Sequence, residues 1–148
     1  MTVLVISPSM TVSEEVPLDP DGYLAKIRSL LGGPVNEGNY HRRVRMWTRD
    51  SGAAERNVMA TALASAWLGR DLAAHYWLYG PVVLSGVDTD GRPQPCPPEA
   101  YRDVTALQEV FHELRTRWAT TAPADDNDAW QQVLARALAA VPAVARTA

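Results

Sequence analysis

The chain is poor in cysteine, lysine and phenylalanine, with one of each among its 148 residues: Cys96, Lys26 and Phe111. A single cysteine excludes an intramolecular disulfide, a four-cysteine zinc ribbon and Cys-x-x-Cys redox chemistry, and it fits a reducing cytoplasm. Arginine supplies the other thirteen basic residues, which leaves little scope for lysine-dependent catalysis. Long apolar runs are missing too. Val3–Ile6 is far too short for a signal-peptide core, and the Ala-rich stretch from Met59 to Leu72 is broken by Ser65, Arg70 and Asp71. A bilayer span needs about 20 apolar residues, so no membrane association is expected. Histidine is scarce and scattered: His41, His75 and His112 form no His-x-x-x-His pair, and Glu109 and Glu113 beside His112 read as a solvated helix face. No metal site and no cofactor are expected. P-loop, Gly-x-Gly-x-x-Gly and Gly-x-Ser-x-Gly patterns are absent, and Ser7, Ser9 and Cys96 have no histidine near them in sequence. The chain is therefore not expected to be an enzyme.

What is present is the composition of an ordinary globular domain: 47% apolar, 21% charged, net charge −3. That acidity argues against a dedicated nucleic-acid coat protein. Val3–Ile6 reads as a strand buried on both faces, and Val12–Val16 as a mixed-polarity strand near a sheet edge. Asp19-Pro20-Asp21-Gly22 starts a helix whose apolar positions are Leu24, Ile27, Leu30 and Leu31, and Gly32-Gly33-Pro34 ends it. Val35–Thr48 holds further β structure, closed by the turn Asp50-Ser51-Gly52. Asn57 caps a second helix running to Leu68, with Gly69 as its C-cap. Tyr76–Tyr79 and Pro81–Val87 are β-prone, and Asp88-Thr89-Asp90-Gly91 is a hairpin-type turn. It is not a calcium loop, because Pro97 stands where the closing acid is required.

From Arg92 to Pro98, four prolines in seven residues predict a stiff, extended connector. Beyond it, Ala100, Tyr101, Val104, Leu107, Val110, Phe111, Leu114 and Trp118 form an apolar stripe at helical period. A second helix, capped by Asp128, carries Trp130, Val133, Leu134, Ala137, Leu138 and Val141. The fold class is α+β: a small mixed or antiparallel sheet with two packed helices, followed by a C-terminal helical hairpin. Residues 1–97 form the α+β core and 98–148 the hairpin extension, either folding apart or joined in one compact unit. Its alanine-rich stripe (Ala129, Val133, Ala137, Leu138, Val141) predicts a homodimer through the C-terminal helices, unless it is buried on the sheet.

Three segments then carry a family likeness. Asn57-Val58-Met59-Ala60-Thr61-Ala62-Leu63, Tyr79-Gly80-Pro81-Val82-Val83-Leu84-Ser85-Gly86 and Asp88-Thr89-Asp90-Gly91, together with the opening strand and first helix, resemble the phage- and plasmid-associated proteins grouped as domain of unknown function 3846. The likeness spans roughly residues 2–97, with Val58 where that pattern often has proline. It implies a small α+β fold and residence on mobile genetic elements, and no catalytic residues to carry over.

Two groups of side chains are candidates for binding. Tyr40–Arg49 carries four arginines and no acid; the rest of the chain has ten basic and seventeen acidic residues, a net of −7. At strand period His41, Arg43, Arg45, Trp47 and Arg49 share one face, opposite Val44 and Met46. Such a face suits a protein partner or an anion, with Trp47 available to stack a ring. Trp67, Tyr76, Trp77 and Tyr79 either line a small pocket or fill the core. The expected function is a small non-enzymatic binding or regulatory protein of a mobile element, acting on a protein partner in the cytoplasm. The alternative is a weak single-stranded nucleic-acid or nucleotide binder using Arg43, Arg45, Trp47 and Arg49.

Overall fold

Strands that are apolar on both faces need cover on both, and that requirement shapes the architecture. The computed structural model describes residues 2–16, 22–49 and 55–144. Its strands are β1 (Val3–Ile6), β2 (Val12–Glu15), β3 (Val35–Gly38), β4 (Val44–Arg49), β5 (Val82–Val87) and β6 (Pro93–Gln94). Its helices are α1 (Tyr23–Leu31), α2 (Val58–Leu68), α3 (Pro98–Trp118) and α4 (Asp126–Ala140), with a 3-10 turn at Leu72–Ala74. The fold is α+β. Every strand pairing is antiparallel, in the order β2-β1-β5-β4-β3. Gly86 of β5 faces Val44 on one side and Gln94 of β6 on the other, so the proline connector adds a short sixth strand on the β1 side.

The central strand is β5, with Leu84 opposite both Leu4 and Met46. Alternation sends Leu4, Ile6, Val44, Met46, Val82 and Leu84 into the cluster that holds α2, α3 and α4. Val3, Trp47 and Val83 point the other way, onto Tyr23, Ile27 and Leu31 of α1. That helix stops at Gly32, whose φ of 81° is left-handed and whose N–H reaches the Arg28 carbonyl. The expected cap at Asp19 and the turn at Asp50-Ser51-Gly52 lie outside the described residues.

A helix apolar on every side must be buried on every side, and α2 is: each residue from Met59 to Trp67 is buried. Its polar groups are consumed internally. Asn57, fully buried, accepts from Ala60 N–H at 3.0 Å and donates its amide to the carbonyls of Ile6 (2.8 Å) and Gly80 (2.9 Å). Thr61 donates to the Asn57 carbonyl and accepts from Leu78 N–H; Ser65 donates to the Thr61 carbonyl and accepts from Leu72 N–H. These bonds correct one sequence expectation. Tyr76–Tyr79 is not a strand, because Leu78 spends its backbone groups on Asn57 and Thr61, and only Tyr79 forms an isolated bridge, to Arg56.

The turn at Asp88 forms as expected, with Asp88 Oδ1 accepting from the N–H groups of Asp90 and Arg92. The cap of α4 is three residues earlier than expected: Asp125 accepts from Asp128 N–H, and Asp128 returns the bond to Ala124 N–H. Both C-terminal helices join the core. Leu107, Phe111, Leu114, Trp130, Val133, Ala137 and Val141 belong to the same buried cluster as Leu4, Ile6 and Met46. Within the stripe from which a homodimer was expected, Val133, Ala137 and Val141 are thus covered by the chain itself, and Leu138 stays 40% exposed.

Two outcomes follow for stability. Asn57→Ala removes a cap and leaves two buried carbonyls without a donor, and should cost about 3 kcal/mol in urea unfolding. Asn57→Asp keeps the cap acceptor but loses the amide donors; if it unfolds at the wild-type midpoint, the bonds to Ile6 and Gly80 carry no stability. A chain ending at residue 97 would strip the cover from α2, so we expect loss of cooperative unfolding. Retention of a sharp transition in that truncation would show that residues 1–97 fold apart from the helical pair.

Candidate functional site

The five residues expected on one face are divided by the structure between two. Only Val44–Arg49 is strand, so the two-residue period places Arg45 and Trp47 on the α1 side and does not extend to His41 and Arg43. Trp47 is 3% exposed and donates to Ser85 Oγ at 2.9 Å, which leaves its ring no face for a ligand. Arg45 is half-buried and paired with Glu37 across the β3–β4 ladder. Arg49 is exposed at the strand end. His41 and Arg43 turn to the opposite side. Arg43 binds Glu99 of α3 at 2.5 Å. The His41 ring meets the edge of Trp67, centroids 4.8 Å apart at 74°.

Behind that contact lies a buried polar pair. Trp67 donates its indole N–H to Asp103 Oδ2 at 2.9 Å, and Arg102 reaches Asp103 Oδ1 at 3.1 Å. His41 Nδ1 accepts from Arg43 N–H, which leaves the ring proton on Nε2 in the neutral form. Burial pulls the His41 imidazole below its ordinary pKa, against the opposing pull of Glu99 and Asp103 and with help from Arg42 and Arg43. Cys96 is structural in character: its thiol donates to the Leu84 carbonyl, and burial pushes it up to about 12. Among the described residues, no three His, Cys, Asp or Glu side chains converge as a metal set.

The four aromatics of the expected pocket also part company. Trp67 is core, at 1% exposure. Tyr76 and Tyr79 stand 49% and 41% exposed, and Trp77 is half-buried between them. Trp77 opens instead onto a groove of about 610 Å³ between the start of α2, the 3-10 turn and the α3–α4 pair. Two further tryptophans wall it, Trp118 and Trp130, and Trp130 meets Trp77 edge-on with centroids 4.7 Å apart. Both of these indole N–H groups are held by the protein, Trp130 to Asp71 at 3.2 Å and Trp118 to Gln132 at 3.0 Å. Their rings are thereby fixed in place. Arg56 lies over Trp77, its guanidinium 4.7 Å from the ring centroid, and Asp71 and Asp126 also line the groove. The sequence placed Trp118 and Trp130 on apolar stripes, but a stripe does not say which of its members will sit at an open end.

No protein-family model matches this chain, and neither a curated protein nor a solved structure matches it. In the structure Asn57–Leu63 and Tyr79–Gly86 form the Asn57 cap, the start of α2, the Gly80-Pro81 corner and the central strand. No described helix is long and apolar enough to cross a membrane.

The lowered pKa of His41 fixes a sign. Above about pH 6.5 the imidazole is neutral in both folded and unfolded chains and has no pH-linked effect. As the pH falls below that value the unfolded chain takes up a proton before the folded one, so stability declines. Wild type should lose more of its urea midpoint between pH 7 and pH 5 than His41→Gln does. Parallel pH profiles for the two would assign the decline to other groups.

Proposed function

We propose that this chain is a small non-enzymatic binding protein of a mobile genetic element, resident in the cytoplasm, that holds a protein partner in the tryptophan groove. The mobile-element part rests on the family likeness, and the cytoplasmic part on the single cysteine. The observation that carries the binding part is the groove itself: about 610 Å³, walled by three indoles, within the usual size range of ligand pockets. Tryptophan and arginine are the side chains most often dominant in protein interfaces, and here Trp77, Trp118, Trp130 and Arg56 meet at one place. Internal hydrogen bonds hold the Trp118 and Trp130 rings, so these two need little ordering when a partner arrives. The matching partner segment presents aliphatic or aromatic anchors to the indoles, with a basic residue toward Asp126 on the α4 side. The nucleic-acid alternative through Arg43, Arg45, Trp47 and Arg49 has less support, because Trp47 is buried under α1 and two of the arginines are paired with Glu99 and Glu37.

A photo-crosslinking residue in place of Asn127, on the groove wall, should capture a discrete host or element protein; one in place of Gln108, on the exposed face of α3, should not. Trp118→Ala should weaken the captured complex by roughly thirtyfold, the effect of losing one interface hot spot, while leaving the circular dichroism spectrum unchanged. Identical products from both positions, or none from either, would remove the groove as the binding surface.

A further inference from the structure

A second concavity lies at the β3 edge of the sheet. It measures about 400 Å³ and is lined by Asn39, Tyr40, Arg70, His75 and Tyr76 together with Glu37. At its wall the hydroxyls of Tyr40 and Tyr76 meet at 2.6 Å. One of them donates to the other, so the pair retains a second O–H that donates to no described residue. Burial and the mutual bond raise the Tyr40 pKa, which keeps its proton in place. Arg70 and His75 add further donors, and neither belongs to an ion pair among the described residues. The one carboxylate in the concavity, Glu37, is already paired with Arg45. Donors therefore outnumber acceptors, which is the requirement for holding an oxyanion.

The same wall continues into a shallower depression of about 260 Å³ that shares Tyr40, Tyr76, Glu37 and Gly38 and adds Arg49 and Tyr79. Tyr76 and Tyr79 are both exposed. An oxyanion subsite beside two exposed rings matches a ligand that joins a phosphate to a flat heterocycle. We propose that these adjoining depressions bind a nucleotide unit, with the phosphate held by Arg70, His75 and the tyrosine hydroxyl pair and the base against Tyr76 or Tyr79. This site does not depend on the partner reading of the tryptophan groove. The nucleotide is either free or part of a single strand, where Arg49 meets the next phosphate.

The test is titration of the full chain at low salt with adenosine monophosphate, adenosine, inorganic phosphate and an eight-residue oligothymidylate, followed by tyrosine and tryptophan fluorescence. The monophosphate should bind at least tenfold more tightly than adenosine or phosphate alone. Arg70→Gln and Tyr76→Leu should each weaken it about tenfold, the effect of losing one charge-assisted hydrogen bond or one stacked ring. Both positions are exposed, and wild-type urea midpoints for the variants would exclude unfolding as the cause. Tighter binding of the oligonucleotide, with a log–log salt slope that Arg49→Gln reduces, supports the single strand as the source; equal affinity supports the free nucleotide. The proposal is overturned if neither ligand binds saturably, or if binding survives Arg70→Gln and Tyr76→Leu undiminished.

Discussion

The buried carboxamide of Asn57 registers three parts of the chain against one another: the end of β1 through Ile6, the Gly80 corner that leads into β5, and the first turn of α2 through Ala60. A fully buried amide left unpaired is costly, so these partners are not interchangeable with water. Because β1 and β5 are neighbours in the sheet, the bonds from Asn57 fix both strands to the helix that covers them. Thr61 and Ser65 extend the arrangement along α2, tying Leu78 and Leu72 in turn. The 72–80 segment, which carries the exposed tyrosines and Trp77, is therefore held by one face of one helix.

This arrangement explains why a segment with only one 3-10 turn of regular structure nonetheless presents side chains in fixed positions. Tyr76 and Trp77 lie between Leu72 and Leu78, both anchored, and Tyr79 is bridged to Arg56. The tryptophan groove and the tyrosine site thus both draw on this segment, the first through Ala73, Ala74 and Trp77 and the second through Leu72, His75 and Tyr76. Each is completed by a different part of the fold: α3 and α4 for the tryptophan groove, β3 and the end of α2 for the tyrosine site.

Much of the scaffold was legible in the sequence. Caps announce themselves by residue type, and Asn57, Gly32 and Gly69 stand where expected. Continuous apolar runs marked the strands buried on both faces, and the Asp88 turn marked the last hairpin. The sequence was less informative where tertiary bonds outbid local propensity. Tyr76–Tyr79 has strand-forming residues, yet Tyr76 bonds back to the Leu72 carbonyl and Leu78 bonds to the Asn57 N–H and the Thr61 hydroxyl. The arginine segment was misleading for a different reason: a period of two holds only inside a strand, and β4 begins at Val44, after His41 and Arg43 have already turned away. Trp47 shows the limit of polar patterning, since arginines two residues away on either side, Arg45 and Arg49, did not keep it in solvent. The candidate sites were the least legible part, because Trp77, Trp118 and Trp130 come from three separate segments.

The position of β5 in the sheet has a consequence for biosynthesis. Val83 pairs with Val5 and Trp47, so the strand that joins the two halves of the sheet is made after both of its neighbours. Until β5 leaves the ribosome, the β1–β2 and β3–β4 hairpins have no common partner, and α2 has no sheet to cover it. Closing the long loop from β1 to β5 adds an entropic barrier that local contacts do not offset. The nascent chain therefore carries the apolar α2 without its sheet until Val82–Val87 has been made, and without the cover of α4 until Asp126–Ala140 follows.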